Sequence, residues 1–455
     1  MSSAPISDAP LYAALREYAG TRPARFHMPG HKGCAQPLIE ALGPALRWDV
    51  TELEATDSLY DASGPLLEAE KAAALLFGAN ETLISASGAT LCIQAMLRLA
   101  GEAVPGGKII CSRNIHRSAV NAMALLGLEP VWVWPRAIGG GLPGRIEASD
   151  IALALEQNSV AAVFVTSPDY YGVLSDIGAI AAVCSASGVP LLVDNAHGSH
   201  LRFCPGGALH PLRQGASLVC DSAHKTLPVL TGGAWLHINS ARFTREDAKG
   251  AMALFGTTSP SYPIMLSLDL ARAWLQEEGE GAFAALCARV AELGLLASNK
   301  GIGLPPGRAL CDPARLTLET AAAGVSGRDA EHEMRRRGIV AEFADKRHVV
   351  LLPSPFNSPA DFEAVAAYLG DFRQRAPIPL SQAEPVRPRQ SATLREALSA
   401  PAEAVETDCA AGRICVQCHC PCPPGVPLLI PGELVTAAVA EKLKSYGVFI
   451  LKVVK

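Results

Sequence analysis

The sequence predicts an α/β protein: a large domain on a mixed, mostly parallel sheet, followed by smaller α+β C-terminal domains. Three observations predict it. Between residues 68 and 238, helix-like and strand-like segments alternate with short connections, the pattern of a sheet covered by helices on both faces. Two apolar runs, Val189-Pro190-Leu191-Leu192-Val193 and Ala216-Ser217-Leu218-Val219-Cys220, each break off into a polar cluster. In parallel sheets, ligands bind outside such carboxyl ends of strands. Beyond residue 300 a second, smaller α+β pattern follows.

The elements run as follows. Residues 1–65 form an N-terminal arm. The large domain, 66–300, carries helix signals at 68–77, 91–100, 116–126, 151–157 and 177–187. Between and after them lie strand signals at 108–111, 130–134, 161–166, 190–194, 217–220 and 234–238. A longer helical region covers 262–299. A small α+β domain, 301–374, has strands at 316–318, 339–342 and 349–352 and helices at 329–337 and 359–369. Residues 375–390 contain four prolines and few large apolar side chains, so they read as a linker. Residues 391–455 make a C-terminal unit.

Composition narrows the function classes. The chain has 455 residues, 49% hydrophobic and 18% charged, so it is globular. Its net charge is −5 and it has no basic block, which argues against nucleic acid. Met1-Ser2-Ser3-Ala4-Pro5 has neither a basic n-region nor an apolar core and is not a signal peptide. The uncharged stretch 177–193 contains Ser, Gly and Pro and reads as helix then strand, not as a membrane span. A cytoplasmic protein with no membrane partner is expected. Thirteen cysteines, scattered through apolar segments at Cys92, Cys184 and Cys287, read as reduced core thiols. Cys415, Cys418, Cys420 and Cys422 crowd around His419, whereas structural zinc usually takes two separated pairs. No metal is expected there, and the cysteines read as small buried side chains in a strand.

The chemistry gathers at the two polar clusters. The first is Asp194-Asn195-Ala196-His197-Gly198, the second Asp221-Ser222-Ala223-His224-Lys225-Thr226-Leu227-Pro228. A carboxylate at one strand end and Ser-x-His-Lys at the next commonly build a pyridoxal 5'-phosphate (PLP) pocket. Lys225 would form the Schiff base, and Asp194 would keep the pyridine nitrogen protonated so that the ring accepts electrons. Ala196 and His197 belong to the same candidate cofactor site. A phosphate needs helix-start N–H groups and hydroxyls. Ser87-Gly88-Ala89-Thr90 stands between an apolar pair and a helix, and Ser222 and His224 are the other natural contacts. His116 opens a helix after a strand, where it can stack on the ring. Arg25-Phe26-His27-Met28-Pro29-Gly30-His31-Lys32-Gly33 is too polar for a core and reads as a segment lining the pocket across a dimer interface.

Taken together, these segments resemble the Orn/Lys/Arg decarboxylase family of fold type I PLP enzymes. The resemblance rests on 26–33, Asp49-Val50-Thr51-Glu52-Leu53, Arg113-Asn114-Ile115-His116-Arg117-Ser118 and Thr166-Ser167-Pro168-Asp169-Tyr170-Tyr171-Gly172. It continues through Asp194 and 196–198, 222–228 and Thr258-Ser259-Pro260-Ser261-Tyr262, and ends at 423–433, Pro-Pro-Gly-Val-Pro-Leu-Leu-Ile-Pro-Gly-Glu. The motifs fall in the family's order and cover nearly the whole chain. The resemblance implies the PLP-dependent transferase fold type I, aspartate aminotransferase-like, with 66–300 as the PLP-binding domain. It implies decarboxylation of arginine, lysine or ornithine to a primary amine, with a slight preference for arginine, in polyamine synthesis or in acid defence. Lys225 would carry the cofactor, Asp194 the pyridine nitrogen and His116 the ring face. Lys225 or His224 would return the proton to Cα. Thr90, Ser222 and His224 would meet the phosphate, completed by Ser259 or Ser261 from a second subunit. A homodimer, or a higher homo-oligomer, follows. The distal cation of the substrate needs an acid, for which Glu52, Glu54, Asp57, Glu342 and Asp345 are candidates.

The chain also departs from the family pattern. Ala89 stands where a hydroxyl is usual, Asn195 where an acidic or small residue is, and Cys422 where an aromatic is. The N-terminal wing domain of the large inducible enzymes is missing, which places the chain with the short form. An aminotransferase or aldolase on the same fold is the alternative, with Arg328 and Arg347 as possible α-carboxylate clamps. Readings as a non-catalytic partner subunit or as a metal-binding tail are weaker.

Overall fold

The apolar runs become strands, and the computed structural model describes residues 8–21, 24–104, 106–139, 141–306, 310–379, 386–420 and 426–455. In chain order the strands are β1 (Glu81–Ser85), β2 (Lys108–Ser112), β3 (Glu129–Val133), β4 (Val160–Thr166), β5 (Leu191–Asp194), β6 (Leu218–Asp221) and β7 (Ala234–Ile238). Then follow β8 (Leu316–Glu319), β9 (Phe343–Ala344), β10 (His348–Leu351), β11 (Ala402–Glu406) and β12 (Ile450–Val454). The chain forms two units, residues 1–99 with 192–284, and residues 100–191 with 285–455.

In the first unit the strands lie in the order β1-β7-β6-β5. β5 and β6 are parallel, with Asp194 opposite Cys220, while β6–β7 and β7–β1 are antiparallel. Every residue of β5, β6 and β7 is buried, as expected for strands covered on both faces. In β5 and β6 the chain turns polar only at the strand ends, where Asp194 and Asp221 stand. Beneath them Phe77 is 0% exposed, with ring centroids 5.6 Å from Phe203 and 5.2 Å from Trp235. Burying such a ring stabilises by about 1.5–3 kcal/mol.

The helix Pro10–Gly20 begins at Ala9, which has no side-chain acceptor to cap it. Asp269 supplies the cap from a distant helix, its Oδ2 accepting the N–H groups of Leu11 (2.9 Å) and Tyr12 (3.3 Å). Burial pushes the Asp269 carboxyl up to about 6, although Arg272 beside it pulls the other way. The stretch Tyr262–Ser298 is long and apolar enough to cross a membrane by length and composition. Yet Asp269 and Arg272 within it form an ion pair (3.5 Å) at 0% and 1% side-chain exposure inside this unit, which makes that part a core helix.

In the second unit β4, β2 and β3 are parallel, with β2 central and β3 on the other side of it from β4. β8-β10-β9 and β11-β12 form two small antiparallel sheets. β11 and β12 border a core that includes Cys415, Leu429, Val435, Leu443 and Leu451. Two expectations fail here. Residues 339–342 are not a strand. Ile339 is buried and Val340 is 78% exposed, which mimics strand alternation, but of these only Glu342 donates to β10 (N to Val350 O, 3.0 Å), and the pairing starts at Phe343. The cysteines around His419 are not in a strand either. Cys415 is buried and Cys418 and Cys420 half-buried in a loop held by isolated bridges at Cys415↔Val453 and His419↔Leu429. Cys422 lies outside the described residues.

Candidate active site

The parallel pairing of β5 and β6 brings two clusters to the same sheet end in the first unit. Asp194 closes β5 at 2% exposure. Its Oδ1 accepts the Ala196 N–H (3.1 Å) and lies 3.5 Å from Cys220 Sγ. Burial, and then the charge of Asp194, push the Cys220 thiol well up, so it stays protonated and donates. Asp194 Oδ2 has no hydrogen-bond partner among the described residues. A buried carboxylate with one open oxygen calls for a cationic N–H.

β6 ends at Asp221, and the short helix Ala223–Thr226 follows with Ser222 at its N-cap. This turn leaves Lys225 exposed, with Nζ donating to His197 Nε2 at 3.0 Å. His224 Nδ1 lies 3.1 Å from Gly233 O and 3.4 Å from Ser222 Oγ. The helix Gly88–Ala103 opens at Gly88 with φ +72, where a Cβ would meet nothing within 4 Å. Its first-turn N–H groups lack intrahelical partners, although the Gly88 N–H is taken by Gly232 O (2.7 Å). Ser87 and Thr90 are exposed beside it, and Ala89 is buried and brings only its backbone. Lysine, open carboxylate, helix start and hydroxyls together fit PLP: an amine for its aldehyde, an anion for its ring nitrogen and donors for its phosphate.

The remaining candidates are placed as follows. His116 lies in the second unit and caps the helix Arg117–Leu126, Nδ1 accepting from Ser118 Oγ (2.7 Å). Ser259 is exposed, its N–H donated to Thr257 Oγ1, and Ser261 is the N-cap of the helix Tyr262–Trp274 without a side-chain cap bond. In the N-terminal arm, His31 Nε2 meets Asp49 Oδ2 at 3.0 Å. Among the acids, Asp57 is spent on structure. Its carboxylate accepts the N–H groups of Ser58, Ser63, Gly64 and Leu66, which hold its pKa below the usual range despite burial. Glu52 accepts from Ser58 and Leu59, Glu342 from Tyr170 and Asp345 from Tyr171, while Glu54 is exposed. Arg347 is paired with Glu319 at 2.8 Å.

Behind the site lies a network that the sequence reading did not single out. Asp221 Oδ2 accepts from His210 Nε2 (3.0 Å) and His237 Nε2 (3.2 Å), and its Oδ1 accepts Asn195 Nδ2 (2.6 Å). His237 Nδ1 meets Thr82 Oγ1 at 2.8 Å, and His210 Nδ1 accepts the Leu212 N–H. The carboxylate and both imidazoles are 0% exposed. Burial alone would raise the Asp221 pKa, but the two histidines outweigh it and hold the carboxyl below its usual value. Burial lowers that of His237 against the pull of Asp221. The three could hold a metal ion by proximity, yet each ring and oxygen already has a hydrogen-bond partner. The signal was available, since His237 is the one polar side chain of β7 and Asp221 directly precedes Ser222.

Comparison with known proteins bears on the family and the fold. The family described as Orn/Lys/Arg decarboxylase, major domain, matches residues 9–293, and its C-terminal domain matches 380–450. A Bacillus subtilis (strain 168) protein called YaaO is 32% identical over 453 residues, covering 95% of this chain and 93% of its own. The arginine decarboxylase of the same organism is 29% identical over 461 residues, covering 94% and 91%. The solved lysine decarboxylase LdcF of Francisella novicida superposes with a TM-score of 0.82 at 17% identity, over 98% of this chain and 81% of that one. The fold is thus that of the fold type I PLP enzymes.

Proposed function

Since the chain belongs to the Orn/Lys/Arg decarboxylase family and has that enzyme activity class, we propose that it removes the α-carboxylate of arginine with PLP as cofactor, yielding the primary amine. When bound, PLP supplies an electron sink for the bond to the departing carboxylate. The protein's own residues do the rest. Asp194 Oδ2, open and buried, would hold a proton on the ring nitrogen. The helix start at Gly88, with Ser87, Thr90, Ser222 and His224, would anchor the phosphate and fix the ring's position. Lys225 Nζ would carry the cofactor at rest and afterwards give a proton to Cα, with His197 Nε2 at 3.0 Å as the neighbour that exchanges it. His116 would cover the ring face. The single observation that carries this reading is the parallel register that sets Asp194 and the Ser222–Lys225 turn at the same sheet end.

Arginine is favoured because the arginine decarboxylase relative spans both chains almost fully. With Asp57 engaged by backbone, and Asp345 by the Tyr171 hydroxyl and the N–H groups of Arg347 and His348, Glu52, Glu54 and Glu342 remain for the distal guanidinium. A homodimer in the cytoplasm, with Ser259 or Ser261 reaching the partner's phosphate, and a role in polyamine synthesis complete the proposal. The test is CO2 and amine release from PLP-loaded protein offered arginine, lysine and ornithine in parallel. Agmatine from arginine at a rate well above the other two amines is expected. Faster release from lysine or ornithine would overturn the substrate assignment, and release from none would overturn the activity.

A further inference from the structure

A cavity of about 1220 Å³ opens in the second unit, all of its described lining residues belonging to that unit. Its walls come from β3 and the turn after it, from the loop 345–347 and from the helix Ala437–Ser445. Neither Lys225 nor Asp194 is among them. Seven of the lining side chains are cationic and two acidic, in a chain whose net charge is −5. Three of the cations have acid partners: Arg113 with Glu433, Arg136 with Asp150 and Arg347 with Glu319. Arg328, Lys346, Arg387 and Lys442 have no carboxylate partner among the described residues. Asp345, one of the two acids, is already engaged by the Tyr171 hydroxyl at 2.7 Å.

A second observation concerns donors. Arg113 is 1% exposed and sends Nη1 and Nη2 to Glu433, leaving Nε buried without a partner. Trp132 Nε1 is likewise buried without an acceptor. Asn114, 6% exposed, keeps an unpartnered Oδ1, which is an acceptor and stands outside this set of open donors. The Arg113 guanidinium lies over the Trp132 ring at 4.9 Å and the Trp134 ring at 5.2 Å, and Arg387 over Trp134 at 5.2 Å, so the aromatic faces are taken. What the wall still lacks is acceptor oxygen and negative charge. Guanidinium and ammonium groups in this excess repel a basic amino acid and favour bidentate oxyanions.

We propose that this cavity is a ligand site for a small multivalent oxyanion, either a phosphate ester or a polycarboxylate. The experiment is calorimetric titration of PLP-loaded protein, so that the cofactor's own phosphate site is filled. The probes are inorganic pyrophosphate and citrate, with ionic strength held constant to keep screening equal. One saturable site per chain for at least one probe is expected. Binding of pyrophosphate alone assigns a phosphate ester, of citrate alone a polycarboxylate, and of both an oxyanion site of either origin. The variant Arg387→Ala/Lys442→Ala is expected to weaken binding at least tenfold, whereas Lys71→Ala, which does not line the cavity, leaves it unchanged. If the double variant shows a lowered thermal midpoint, Arg328→Gln replaces it with the same expectation. Absence of saturable binding of both probes at millimolar concentration, or equal affinity in the folded wall variant, overturns the proposal.

Discussion

Asn195 Nδ2 donates to Asp221 Oδ1 at 2.6 Å across 26 positions of sequence, and so joins the residue after Asp194 to the residue before Ser222. The clusters that flank the candidate cofactor site are tied to each other beneath it. Asp221 pays for its burial by accepting from three donors at once, which makes it sensitive to any loss of charge. Asp221→Asn keeps the shape and removes the charge-assisted acceptor. It is expected to destabilise by about 3 kcal/mol, the upper range for hydrogen bonds to a charged group. Urea denaturation measures this, and a loss below about 1 kcal/mol would show that the network carries little.

His237 gives the pH dependence a sign. Burial holds its folded-state pKa below 6.5, while in the unfolded chain it protonates near the ordinary value of about 6.5. Its contribution to stability is therefore complete above that pH and is lost as pH falls through the folded value. Asp169 and Asp269, pushed up to about 6 by burial, act oppositely: their contribution is present at low pH and lost as pH rises through about 6. The wild type minus His237→Gln difference isolates the histidine. The wild type should lose more stability than the variant between pH 7.5 and 5.5, read from denaturation midpoints. Parallel curves would contradict the assignment.

Arg113 and Glu433 form a bidentate pair of 2.8 and 2.9 Å at 1% and 2% side-chain exposure, across 320 positions. Burial pushes the Glu433 carboxyl up, and the guanidinium opposes this. Leaving one such charge alone in the interior costs about 3–5 kcal/mol, whereas replacing both with apolar groups costs far less. Glu433→Leu should therefore be much less stable than Arg113→Met/Glu433→Leu. A double variant no better than the single one would refute the pairing energetics.

Asp194→Ala removes the open oxygen that would keep the ring nitrogen protonated. A fall in kcat of about 10²–10³-fold is expected, comparable with losing one preorganised electrostatic contact. Asp194→Glu should recover part of it. Near-normal turnover in Asp194→Ala would exclude the role.

Much of this was legible from sequence because the parallel strands carry their signal locally. Leu191–Asp194 and Leu218–Asp221 are uniformly apolar until they end, so strand, end and candidate residue could be read together. β1 was missed because Glu81 and Thr82 dilute its apolar signal, although Thr82 is there to meet His237. β11 was missed because its residues are mostly exposed, its pairing with β12 being set by chain partners 44 to 52 positions apart. In the Asp221 network the single polar residues His237 and Asp221 were visible in sequence, but the meeting of the five segments that carry Thr82, Asn195, His210, Asp221 and His237 is announced by no local pattern. Asp57 was a candidate for the substrate's distal cation, yet its φ of 70 and four backbone donors make it a turn centre, a role visible only once the turn is folded.

The most direct test of Lys225 as the cofactor's anchor is borohydride reduction of PLP-loaded protein, followed by peptide mass analysis and an assay of arginine decarboxylation. A single pyridoxyl adduct on Lys225, with loss of both adduct and CO2 release in Lys225→Ala, is the expected result. An adduct on another lysine, or arginine turnover that survives Lys225→Ala, would contradict it.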